Sequence, residues 1–203
     1  MPQPDFPTVT VTKSYDAPHK NVTGMSDLPP ASAALPRATP QPLGVKFLLA
    51  HPAHFIALGF GSGLSPIAPG TVGTLWAWLT FSLLQAGLTP AGTGWLIAAS
   101  LAVGWWACGV TARNLAVADP GSIVWDEVVA FWLVLWLIGP TGIWGQLVAF
   151  ALFRFFDAAK PGPVGWADRH FKGFGARGSF GILFDDIVAA FCTLLVIAIW
   201  RSL

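Results

Sequence analysis

Along this chain the apolar positions gather into five long segments, at 71–88, 95–110, 124–138, 143–156 and 182–200, with polar positions confined to the loops between them. A helix that crosses a bilayer needs about 17–25 mostly apolar residues, so the first and last segments are comfortable and the third and fourth are short. Gly139, Pro140, Thr141 and Gly142 divide those two as a tight turn. The pair makes a helical hairpin, spanning or re-entrant, and in both cases the chain returns to the side it left. A further apolar and aromatic stretch, 45–60, is broken by Pro52 and reads as a helix lying in the membrane interface. The expected fold is all-α, a polytopic integral membrane bundle of about four to five apolar helices.

Residues 1–43 differ in kind. Nine prolines and scattered Ser and Thr, with no apolar period, cannot bury enough surface to offset their ordering entropy. They read as a disordered N-terminal tail, and 44–203 as the membrane-embedded domain. No charged stretch leads into an apolar run at the start, so no secretory signal is expected.

Composition agrees with lipid as the solvent. Of 203 residues, 54% are hydrophobic and 10% charged, against about 25% charged in a soluble domain. Eleven Trp and fifteen Phe suit the headgroup boundary. The net charge of +1 gives no reason to expect nucleic acid. Cys108 and Cys192 lie inside apolar segments without metal-ligand spacing and read as core residues.

Charge then orients the bundle. Loops 59–70, 111–124 and 157–181 precede the first apolar segment, follow the second and follow the fourth, so all three fall on one side. All ten acidic residues and ten of the eleven basic ones lie on that side. Near the segment ends, Arg113, Arg154, Lys160, Arg169, Lys172 and Arg177 stand against Arg201 alone. The positive-inside rule therefore places these loops and the N-terminus in the cytoplasm.

Five carboxylates, Asp126, Glu127, Asp157, Asp185 and Asp186, stand at the boundaries of apolar segments. Ionisable groups there are costly unless paired, and read as functional. Helix capping is the competing account, since negative charge is favoured at helix N-termini. Capping explains one carboxylate per helix; it does not explain two adjacent pairs, or Asp157 at a helix C-terminus. Clustered carboxylates repel one another unless a cation lies between them, and a hard ion such as Mg²⁺ takes oxygen ligands that it shares with substrate phosphate. Adjacent helical residues point about 100° apart, so one member of each pair is expected to face the metal directly. His51 and His54, at i, i+3, have a spacing that suits a metal or, more simply, two amphipathic side chains at the headgroup boundary.

A phosphate needs donors as well. Lys160 follows Asp157 by three residues, on the same helical face if the helix continues to it, and Pro161 ends it. Arg169, Lys172 and Arg177 follow in a Gly-rich loop that can close over a headgroup, Arg as a bidentate donor and Lys as a point charge. The loop at 61–74 runs into a helix whose N-terminal N–H groups make an anion site, with Ser62, Ser65, Thr71 and Thr74 as added donors. It lacks the GK[ST] ending of a nucleotide-binding loop, so no nucleotide is expected. Haloacid-dehalogenase, His-nucleophile, HExxH and GxSxG signatures are also missing.

Taken together, residues 61–74 (GSGLSPIAPGTVGT), 121–128 (GSIVWDEV), 153–161 (FRFFDAAKP) and 181–188 (GILFDDIV) resemble the phosphatidylglycerophosphatase A family, a likeness that extends over 44–200. The resemblance implies a helical, magnesium-dependent enzyme of the bacterial inner membrane. Such an enzyme completes phosphatidylglycerol synthesis by hydrolysing the phosphomonoester of phosphatidylglycerophosphate. It puts Asp126, Glu127, Asp157, Lys160, Asp185 and Asp186 at the family's motif positions. The expected chemistry is Mg²⁺ polarising the phosphate and activating a water with a carboxylate as base, or an aspartyl-phosphate at Asp157 or Asp126.

Two rivals predict different sequences. A small transporter or ion-binding membrane protein would place carboxylates near the bilayer midplane, often with internal repeats. An alcohol phosphotransferase would carry a multi-Asp signature. Neither pattern is present.

Overall fold

The computed structural model describes residues 43–173 and 175–203, and no strand occurs among them. Apart from its last residue, the tail read as disordered lies outside the described residues. The chain forms α1 (Val45–Ala50), α2 (Pro52–Ala57), a 3₁₀ stretch (Gly59–Leu64), α3 (Pro69–Gly87), α4 (Pro90–Leu115), α5 (Trp125–Ile138), α6 (Ile143–Ala159), α7 (Pro163–Phe171) and α8 (Gly175–Ser202). The all-α expectation holds. Two of these helices, α4 with 26 residues and α8 with 28, are long and apolar enough to cross a membrane.

Helix α5 is the axis of the structure. Val128, Val129, Ala130, Phe131 and Val134 are wholly buried, and the helix packs against α3, α4, α6 and α8. That is the environment a helix apolar on every side requires. Three indoles fasten it. Trp125 Nε1 donates to Ser100 O of α4 (3.1 Å), Trp132 Nε1 to Ala77 O of α3 (3.0 Å) and Trp136 Nε1 to Pro90 O of α4 (2.9 Å). The Trp125 and Trp132 bonds are buried, where an indole N–H is costly without an acceptor, so these two also fix the rotation of α5 about its own axis. At the site end, Gly73 of α3 lets the chain entering α5 come close: a Cβ there would lie 2.7 Å from Val124 Cβ. At the opposite end, Arg201 Nη1 donates to Ile138 O, tying the last turn of α8 to the last turn of α5 (2.9 Å).

The outer surface is apolar in stripes. Leu75, Leu79 and Leu83 on α3, and Phe191, Leu195 and Ile199 on α8, follow one another at intervals of one turn and are all exposed. Contiguous exposed stripes of this kind mark surfaces made for an apolar partner.

Two boundaries differ from expectation. The 45–60 stretch is not one helix. It breaks at His51, whose Nδ1 accepts from the Ala53 N–H (3.0 Å) to cap α2. His54 is buried, with Nδ1 2.9 Å from Phe47 O and Nε2 2.8 Å from Asn114 Nδ2. The two rings are thus occupied in joining α1, α2 and α4. Second, α8 starts at Gly175, well before its apolar run. Trp105 Nε1 of α4 donates to Ala176 O (2.9 Å), and Gly181 lies so close to α7 that a Cβ would meet Phe171 O at 2.6 Å. Packing rather than composition makes this first stretch helical. Asp185 and Asp186 therefore sit about 15 Å along the axis from the start of α8, at about 1.5 Å per residue, and capping does not account for them.

Candidate active site

The first turns of α3 and α5, the last turn of α6 and the interior of α8 meet at one end of the bundle. There Asp126 and Glu127 of α5 and Asp186 of α8 each bring one carboxylate oxygen within 4.8 Å of the others. Asp126 Oδ1 and Glu127 Oε2 are buried and have no hydrogen-bond partner. Three converging carboxylates, two of them with a partnerless oxygen, form a donor set of hard ligands only, which suits Mg²⁺. Both members of the α5 pair join this group. Of the α8 pair only Asp186 does; the expectation of one member per pair thus matches the geometry of α8 and fails for α5, where the longer Glu127 side chain reaches the group beside Asp126.

The other two carboxylates are held by cations. Asp157, buried near the end of α6, pairs with Arg154 one turn earlier, and Arg154 Nη1 also lies 3.7 Å from Glu127 Oε1. The same nitrogen is 3.5 Å from Thr74 Oγ1. Gly70, in the first turn of α3, makes this convergence fit. A Cβ at that position would stand 2.2 Å from Glu127 Oε1 and 3.2 Å from both terminal nitrogens of Arg154. The positive N-terminal end of α3 thus adjoins the site.

Lys160 does not continue the face of Asp157. Helix α6 stops at Ala159, Lys160 adopts a left-handed backbone (φ 45°), and its side chain turns to Asp185 of α8 and to Asp168 Oδ1 of α7 (2.8 Å). The spacing argument fails because the cap reverses the chain. Burial alone would lower the lysine's pKa, but the Asp185 carboxylate and the hydrogen bond to Asp168 outweigh it and hold the ammonium above its ordinary range. For Asp168 burial acts upward, and the bonds from Lys160 and Lys172 outweigh it and hold the carboxyl below its ordinary value.

The remaining sequence candidates divide. Ser62 donates to Gly59 O (2.8 Å), Ser65 to Ile67 O (2.8 Å) and Thr74 to Gly70 O (2.9 Å), so these hydroxyl protons serve the loop and the helix start. Thr71 is half-buried in the first turn of α3. Lys172 pairs with Asp168 (3.0 Å), Arg177 donates to His170 O (2.9 Å) beside the Phe171 ring, and Arg169 is exposed on α7. Arg154, Asp168 and Gly70 were not singled out from sequence. For Arg154 a signal existed, its i, i+3 spacing to Asp157. For Asp168 there was one of the same kind, its i, i+4 spacing to Lys172; for Gly70 no spacing pointed to its contact with Glu127.

Residues 55–201 match the family model described as Phosphatidylglycerophosphatase A. The chain is 41% identical to phosphatidylglycerophosphatase A of Escherichia coli over 142 residues, 70% of this chain and 78% of that protein. It is 39% identical to phosphatidylglycerophosphatase A of Haemophilus influenzae over 156 residues, 75% of this chain and 90% of that protein. It is also 36% identical to a putative phosphatidylinositol-3-phosphatase of Bacteroides thetaiotaomicron over 152 residues, 72% of this chain and 91% of that protein. No solved structure matches it.

Proposed function

The chain belongs to the phosphatidylglycerophosphatase A family of lipid phosphatases, and from that premise we propose that it hydrolyses the phosphomonoester of phosphatidylglycerophosphate to phosphatidylglycerol and phosphate, in phospholipid biosynthesis and with Mg²⁺. The observation that carries the reading is the group Asp126, Glu127 and Asp186, with its partnerless oxygens, flanked by Arg154 and Lys160. Those three carboxylates would hold the ion, which supplies charge to polarise the phosphate and activate a water. Arg154 and Lys160 offer N–H donors to the phosphate oxygens. A carboxylate of the group takes a proton from the attacking water as the water oxygen bonds to phosphorus, the bond from phosphorus to the glycerol oxygen breaks, and the same carboxyl group returns that proton to the leaving oxygen, which departs as the alcohol.

The apolar stripes on α3 and α8, with α4 and α8 long enough to span, support a multi-pass protein of the bacterial inner membrane. The charge bias along the sequence supports an active site and N-terminus on the cytoplasmic side.

The deciding assay is phosphate release by purified protein from phosphatidylglycerophosphate, with and without Mg²⁺, beside phosphatidylinositol 3-phosphate. Release that is rapid only with the first lipid and only with the ion is expected. Equal release after chelation would refute the metal, and turnover of the inositol lipid alone would refute the substrate.

A further inference from the structure

Lys160 is held by three features from two other helices. Its carbonyl lies against Gly165 of α7, where a Cβ would approach Lys160 O to 2.5 Å. One turn further along α7, Asp168 accepts from Lys160 Nζ (2.8 Å). From the other side Asp185 of α8 accepts from the same nitrogen. Asp168 is itself fixed, because its second oxygen accepts from Lys172 Nζ (3.0 Å) and its side chain is only 13% exposed. An ammonium has three N–H groups. Two are taken here, and the lysine side chain keeps 30% exposure, which leaves the third open to a ligand.

We propose that Asp168 is a positioning residue of the phosphatase reaction: it holds the Lys160 ammonium between α7 and α8 so that the remaining N–H meets an oxygen of the substrate phosphate. This rests on the reading of Lys160 as a phosphate contact. Lysine is a point charge on a flexible four-carbon stem and does not hold one place by itself. With Asp185 as its only anchor, Nζ would be free to swing toward the acidic group around Asp186 and leave the phosphate. Asp168 prevents this without touching the phosphate or the metal ligands. The closeness of α7 to the Lys160 carbonyl gives Asp168 its fixed reach.

The test is a double-mutant cycle on the full-length protein, with Asp168→Ala, Lys160→Ala and the pair. For each, kcat/KM with phosphatidylglycerophosphate, the inhibition constant of inorganic phosphate and the affinity for Mn²⁺ alone are measured. Asp168→Ala should lower kcat/KM about 10–100-fold, the range seen when a partner behind a binding group is removed. It should weaken inhibition by phosphate in the same direction and leave Mn²⁺ affinity within about twofold. In the Lys160→Ala background the same change should have almost no effect, because the residue it positions is gone. Where the lysine variant turns over too slowly, the phosphate inhibition constants supply the cycle. Asp168→Asn keeps the volume and one acceptor oxygen, and should fold as wild type with a smaller loss of the same kind; it decides the matter should Asp168→Ala fail to fold. Full losses that multiply in the double variant, or a fall in Mn²⁺ affinity as large as the fall in kcat/KM, would overturn the proposal. Wild-type protein inactive on phosphatidylglycerophosphate but active on another lipid would instead refute the assigned substrate, and the cycle would be run on that lipid.

Discussion

Replacing Gly70 by Ala separates the site from the scaffold. The new methyl would be built 2.2 Å from Glu127 Oε1, whereas carbon and oxygen in contact stand at about 3.3 Å or more. About 1 Å must therefore be found. The backbone of α3 is held by Gly73 against Val124 and by the Trp132 bond to Ala77 O, so the carboxylate is the part that yields. Arg154, 3.2 Å from the same point, is displaced less. A misplacement of about 1 Å at a reacting centre costs on the order of 100-fold in rate, or about 2.7 kcal/mol of barrier. Stability should move the other way, since Ala is favoured over Gly in a helix by up to about 1 kcal/mol. The expected variant melts no lower than wild type, releases phosphate about 100-fold more slowly, and needs more Mg²⁺. Gly73→Ala, three residues on, is the control: its methyl strikes Val124 Cβ at 2.7 Å, so it should lose stability. A Gly70→Ala protein with wild-type turnover and wild-type Mg²⁺ dependence would refute the placement of Glu127 in the metal group.

Asp126→Asn and Asp186→Asn should each abolish Mg²⁺-dependent phosphate release and weaken Mn²⁺ binding while folding normally; capping predicts near-neutral variants, because Asn caps about as well as Asp. A reporter fused after Leu203 should lie on the opposite side of the membrane from one inserted at Gly173, and finding both on one side would break the single-faced site. The ion pair between Asp168 of α7 and Lys160 should itself be pH-dependent only at the extremes. Asp168, depressed below 3.8, contributes stability that is present above that value and lost as pH falls through its folded pKa. Lys160, raised above 10.5, contributes stability that is present below that value and lost as pH rises through its folded pKa. The part of the hydrogen-exchange protection of α7 that Asp168→Asn removes should accordingly stay level from about pH 5 to 9 and vanish in stronger acid; its loss near neutrality would contradict the ion pair of Asp168 with Lys160.

Much of this was legible in the chain. Five apolar segments and one parity count were enough to put Asp126, Glu127, Asp157, Asp185 and Asp186 at one end of a helical bundle, because hydropathy and helix direction are local properties. What escaped was set by tertiary contacts. The stretch 175–181 has no apolar run, yet α4 and α7 hold it helical, and this moved Asp185 and Asp186 from a helix start to a helix interior. Lys160 was assigned to Asp157 by spacing, which a left-handed cap undoes without any Gly to announce it. Arg154 was counted only as one of six cytoplasmic-side charges, although its distance from Asp157 along α6 already foretold the pair. Ser62, Ser65 and Thr74 looked like free donors, since nothing in a sequence tells which carbonyl a hydroxyl has found.

The three indole bonds of α5 have a consequence for the carboxylate group at its first turn. Asp126 and Glu127 lie on the same rigid rod as Trp125, Trp132 and Trp136, whose acceptors belong to α3 and α4. Turning the carboxylates apart would mean breaking bonds up to three helical turns away, so their repulsion is relieved at fixed shape, by a proton or a cation taken up between them. On the proposed reading, a cation that binds there meets a site already in its final shape, and its binding energy is not spent on rearranging helices. If the group holds Mg²⁺ as proposed, adding it should change little in the fold and raise the melting temperature with ion concentration, as ligand linkage requires.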